Sequence, residues 1–103
     1  MRTFELTAAA NALVVQDAYA FERMPRSVEE VFVTYEQARV KGGAVRIGPE
    51  RGGVTLKSEV AGRFRVERLE EESKEGRTGE VVTRIVFTPA RLARQMVLRF
   101  RLA

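Results

Sequence analysis

The sequence predicts an α+β domain, an antiparallel meander sheet of about five strands packed on one or two N-terminal helices. Three observations predict it. Residues 54–60, 63–69 and 81–87 are consecutive runs of β-branched, aromatic and alternating charged residues. Val28, Val31, Phe32, Tyr35 and Ala38 recur with helical spacing behind a capping box formed by Ser27 and Glu30. The chain has 103 residues and is 45% hydrophobic, enough for one core, so 1–103 reads as a single small domain.

The elements follow in order. Arg2 to Thr7 alternates Phe4 and Leu6 with Thr3 and Glu5, as a strand does. Ala8 to Met24 fits two patterns. Its six alanines between Ala8 and Ala20, with Thr7 as a cap, favour a helix. Leu13, Val15, Tyr19 and Phe21 share one parity, which suits a strand interrupted by Asp17. The helix is the reading adopted.

A second helix is expected over 28–41, spanning roughly 20 Å. Glu29 and Glu30 stand at its positive end, Arg39 and Lys41 at its negative end, and Gly42 supplies the left-handed stop. Val33 and Val40 fall off its apolar stripe and read as exposed. Ala44 to Ile47 is a short strand. Residues 48–53 form a hairpin loop by their Gly and Pro content; the segment lacks the Lys-Ser/Thr of a phosphate-binding loop. The three runs of the meander follow, with Ala61-Gly62 as a tight first connection and Glu70–Glu80 as a solvated second tip. Thr88-Pro89 opens a helical turn near 89–95, and Val97 to Leu102 closes the chain as a strand.

Composition removes several chemistries. With no Cys and no His, the chain holds no disulfide, thiolate metal site, catalytic triad or imidazole base. Most acids lie in solvated runs, and no set of residues has a spacing that catalysis requires, so the protein is expected not to be an enzyme. No cofactor, metal or small-molecule substrate is indicated. No apolar run approaches the roughly 18 residues of a membrane span. Glu5 falls where an export signal would be apolar. A cytoplasmic location is expected.

Charge points to the second half of the chain. Net charge is +4, and fifteen of the eighteen basic residues are Arg, a composition that suits thermophilic or GC-rich origins. Residues 1–40 carry net −2 and residues 41–103 net +6. Sorted by strand parity, one face of the sheet collects the apolar residues, including Phe64, Phe87 and Phe100. The other collects Arg46, Lys57, Arg63, Arg65, Arg84, Arg99 and Arg101, with Val82, Val86 and Val97 among them and only Glu59 and Glu67 as acids.

Such a face suits protein association, since Arg and apolar groups rimmed by charge are common in interfaces. Arg46, Lys57, Arg63, Arg65, Arg84, Arg99, Arg101, Val82 and Val86 are the expected contact residues. The expected partner is a second copy of the chain or a larger protein assembly. The alternative is nucleic acid. With every strand aromatic on the core side, that contact would be directed at the backbone, not at bases.

Overall fold

The computed structural model describes residues 12–69 and 82–103 in full and residues 2–7 by their backbone. Nine strands form among these residues: β1 (Arg2–Thr7), β2 (Ala12–Ala20), β3 (Glu30–Thr34), β4 (Ala38–Lys41), β5 (Ala44–Ile47), β6 (Val54–Ser58), β7 (Gly62–Leu69), β8 (Val82–Pro89) and β9 (Gln95–Leu102). They build two antiparallel sheets, of order β1-β2-β9-β6-β5-β4 and β3-β8-β7. No described residue is helical. The expected α+β architecture is therefore corrected to an all-β one, in which the smaller sheet takes the place of the helices. No helix among the described residues is long and apolar enough to cross a membrane.

The helix expected over 28–41 is instead two strands, β3 and β4, with a bend between them. Val31, Phe32, Val33, Thr34 and Tyr35 are β-branched or aromatic, side chains that lose χ1 freedom in a helix and pack well on a pleated surface. Read with a period of two, the same residues sort cleanly: Val28 and Glu30 are buried, Phe32 packs on the core, and Val33 is 63% exposed. Glu30 does not box a helix start. It accepts hydrogen bonds from the Tyr19 hydroxyl at both carboxylate oxygens, 2.9 and 2.8 Å away, and so ties β3 to β2 across the two sheets. Gly42 and Gly43 have φ of 59° and 79°, the pair of positive values that a tight two-residue hairpin needs. They join β4 to β5 with Lys41 opposite Ala44, where a helix stop was expected.

The helix expected over 8–24 is also corrected. Residues 8–11 lie outside the described residues, 12–20 are β2, and 21–24 are irregular. Alanine's preference for helix is worth only tenths of a kcal/mol per residue, roughly up to 0.7 over ordinary residues. The single parity of Leu13, Val15 and Tyr19 outweighs it, because β2 lies between β1 and β9 and buries Val15 in the core.

The meander is broken at its first connection. β6 belongs to the larger sheet and β7 to the smaller, so Ala61-Gly62 carries the chain from one sheet to the other. The Ser58 hydroxyl donates to the Val60 carbonyl at 2.8 Å and accepts from the Val60 N–H at 3.1 Å, closing a turn as the chain leaves β6. The β7–β8 hairpin is retained, with Phe64 opposite Phe87. Its tip, Glu70–Glu80, and Val81 lie outside the described residues. In place of the helical turn expected near 89–95, residues 90–94 are irregular backbone between the end of β8 and the start of β9, and β9 then inserts between β2 and β6.

The core lies between the sheets. Val15, Val45, Leu56, Leu98 and Phe100 come from the larger one, Ile85 and Phe87 from the smaller, and Val28 from the approach to β3. Phe100 is the hub. Its ring meets Phe32 at 4.9 Å and Phe87 at 5.2 Å, both near perpendicular, the edge-to-face arrangement that aromatic quadrupoles favour.

Candidate interaction surface

The nine residues expected on one contact face lie on two sheets. Arg46, Lys57, Arg99 and Arg101 are on the outer side of the larger sheet, and Arg63, Arg65, Arg84, Val82 and Val86 are on β7 and β8 of the smaller. Parity placed each side chain away from the core, but the two outer faces point in opposite directions because the core lies between the sheets.

The smaller sheet neutralises its own cations. Arg65 on β7 reaches across β8 to Glu29, just before β3, with Nη1 2.7 Å from Oε2. Its Nε donates to Glu67 at 2.9 Å. Glu67 also lies 3.4 Å from Arg84, its cross-strand neighbour. The hydrogen bond to Glu67, then that to Glu29, raises the Arg65 pKa above its ordinary value. Val86 sits between Val31 and Arg65 in the cross-strand row and is fully buried at 0% exposure. It is covered from outside, so it is not available as a contact residue; Val82 is half-buried. Arg63, near the start of β7, is exposed.

The larger sheet behaves differently. Arg39 and Arg46 stand directly opposite each other on β4 and β5, and like charges so placed are destabilising. Glu50, in the loop after β5, relieves them. Its carboxylate lies 3.3 Å from Arg39, and its backbone carbonyl accepts from Arg46 at 2.9 Å. Arg46 also donates to Thr55 Oγ1 across the strand pair at 3.1 Å. Arg99 has Glu59, its Nε 2.7 Å from Oε2, as an ion pair whose geometry is not that of a well-aligned hydrogen bond.

A second like-charged pair has no such relief. Lys57 on β6 stands opposite Arg101 on β9, and both are exposed. Neither makes an ion pair with any described residue. Val97, on the same outer side of β9, is 51% exposed. It borders an open groove of about 270 Å³ whose walls include Val60, Ala61, Pro89 and Met96, with Arg91 at the rim. The surface thus runs from an apolar seat through a compensated Arg99 to two cations without an ion-pair partner among the described residues.

Sequence reasoning placed Val97 on the Arg face but missed Glu29 and Glu50 as determinants of this surface. Glu29 was expected at a helix start, and Glu50 in a loop without a role. Only the strand register, which sets Arg39 against Arg46 and Lys57 against Arg101, shows which cations the chain leaves unmatched. No family model matches the chain, and no curated protein is similar enough to it to count as a relative.

Proposed function

We propose that this protein is a non-enzymatic contact module that docks an acidic protein surface on the outer face of its larger sheet. The observation that carries the reading is the opposed pair Lys57 and Arg101. A directly opposed like pair costs about 0.2–1 kcal/mol in the free chain. Among the described residues, Glu50 relieves the other opposed pair and no acid is set against this one, which leaves it for carboxylates from outside. The exposed Val97 and the groove beside it supply the apolar part of an interface, with Arg on the rim. Among the described residues, the outer-face acids Glu29, Glu50, Glu59 and Glu67 are each engaged by an Arg. A cytoplasmic setting belongs to the same reading.

Nucleic acid is the competing reading, and magnitudes disfavour it. The opposed pair by itself would release about two counterions, against about six to ten for strong duplex binders. Phe87 and Phe100 are buried and Phe64 packs on the core, so these three rings offer bases no stacking surface.

The chain has three lysines, Lys41, Lys57 and Lys74, so a carbodiimide cross-link from lysine to carboxylate is easily mapped. In a lysate of the source cells, Lys57 is expected to be joined to Asp or Glu of another protein, and the yield is expected to fall as salt rises. An unreacted Lys57, with ultraviolet cross-linking to nucleic acid in the same lysate, would replace this reading with the competing one.

A further inference from the structure

A separate surface, the outer edge of β3, points to a second copy of this chain. β3 ends the smaller sheet, pairing with β8 on one side and with no described strand on the other. Sheets normally guard such an edge with Lys, Pro, a bulge or a charge, because an open edge invites another strand. The other edge strands carry charge: β1, Arg-Thr-Phe-Glu-Leu-Thr, has Arg2 and Glu5. β4, Ala-Arg-Val-Lys, carries two cations, and β7 carries the Arg65–Glu67 pair and has β4 close by. β3 reads Glu-Val-Phe-Val-Thr. Its one charged residue, Glu30, is 4% exposed and turned toward Tyr19 in the other sheet. What β3 presents outward is Val31 and Val33, the latter largely exposed.

We infer that β3 pairs antiparallel with β3 of a second copy about a two-fold axis through Phe32, joining the two smaller sheets into one continuous sheet. The sequence of the strand fits itself in this register. All of its residues find a partner, with Val31 opposite Val33 of the second copy and Glu30 opposite Thr34. Beyond the strand ends, Glu29 stands opposite Tyr35. No like charges meet anywhere along the pairing. β4 paired on itself about Val40 would set Arg39 against Lys41, the arrangement that sheets avoid. The pairing also extends an existing row: Val86 and Val31 are neighbours across β8 and β3, and Val33 of the second copy continues that apolar line. Antiparallel β-branched pairs of this kind are among the better cross-strand contacts.

The test is mass in solution. Light scattering on the purified full chain is expected to give twice 11.6 kDa. Val33→Lys places a cation on the edge at an exposed position; it is expected to halve the mass and leave the thermal unfolding transition of the fold in place. A Val31→Cys/Val33→Cys double variant, in a chain with no other cysteine, is expected to form a disulfide-linked dimer on oxidation. Within one strand those two positions stand about 7 Å apart with parallel Cβ vectors, a geometry that does not close a bridge. A monomeric wild type, a dimer that survives Val33→Lys, or a double variant that stays monomeric on a non-reducing gel would each overturn the inference. Arg101→Glu is expected to leave the dimer intact, which keeps this test apart from that of the Lys57 surface.

Discussion

Replacing Phe100 with alanine is expected to destabilise the fold by about 3–5 kcal/mol, the range for truncating a buried aromatic. A domain of this kind is stable by only about 5–15 kcal/mol in total, so the loss removes a large share. Phe100 is fully buried on β9, the strand held between β2 and β6, and its ring is the meeting point of Phe32 from β3 and Phe87 from β8. Alanine there empties space between the two sheets that no neighbour fills without moving a strand. Urea unfolding of Phe100→Ala against wild type measures it, with Phe100→Leu as a folded comparison that loses less. Val97→Ala, on the outer side of the same strand, is expected to change stability by no more than about 0.5 kcal/mol. Equal losses at the two positions would mean that the sheets do not enclose a common core at Phe100.

Gly62→Ala is expected to destabilise the fold by about 1–3 kcal/mol, the range for overpacking. A Cβ at Gly62 would run into the Phe87 ring and the Thr88 carbonyl. The carbonyl is backbone and cannot rotate away, and the ring is fixed by Phe64 and Phe100. Gly62 opens β7 where the chain has just crossed from the larger sheet, and the crossing brings its backbone hard against β8. A thermal melt shows the effect. Gly43→Ala, with open space around its Cβ but a positive φ, is a useful contrast, since its cost is backbone strain alone. An unperturbed Gly62→Ala chain would contradict the close approach of β7 to β8 at this point.

Parity carried much of the information in the second half of the sequence. It separates Phe87, Leu98 and Phe100 from Arg84, Arg99 and Arg101, and the burial of these residues follows that separation. Parity says which side of a strand a residue occupies; it does not say which sheet the strand joins. Lys57 and Arg65 therefore read as one face and lie on two. Val86 has outward parity and is still buried, because Arg65 spans it to reach Glu29, a contact between residues 36 positions apart in the chain. The helix over 28–41 failed for a local reason. The i, i+3, i+4, i+7 spacing of Val28, Val31, Phe32 and Tyr35 coincides in part with alternation, and β-branched side chains decide such a tie toward strand. The adjacent glycines at 42 and 43 carried the hairpin signal, and one of them alone was read as a helix stop.

The central claim, that the Lys57–Arg101 pair is held open for a carboxylate-bearing partner, is tested most directly by Arg101→Glu with two readouts on one sample. The new acid stands opposite Lys57 and turns a repulsive pair into an attractive one, worth about 0.2–1 kcal/mol. For a domain of this size that raises the melting temperature by about 1–8 °C. The same change closes the site, so recovery of the acidic partner cross-linked at Lys57 is expected to fall at least severalfold. A chain that melts higher and binds less is the predicted result. A melting temperature that is unchanged or lower, or a partner recovered in undiminished amount, would contradict the account.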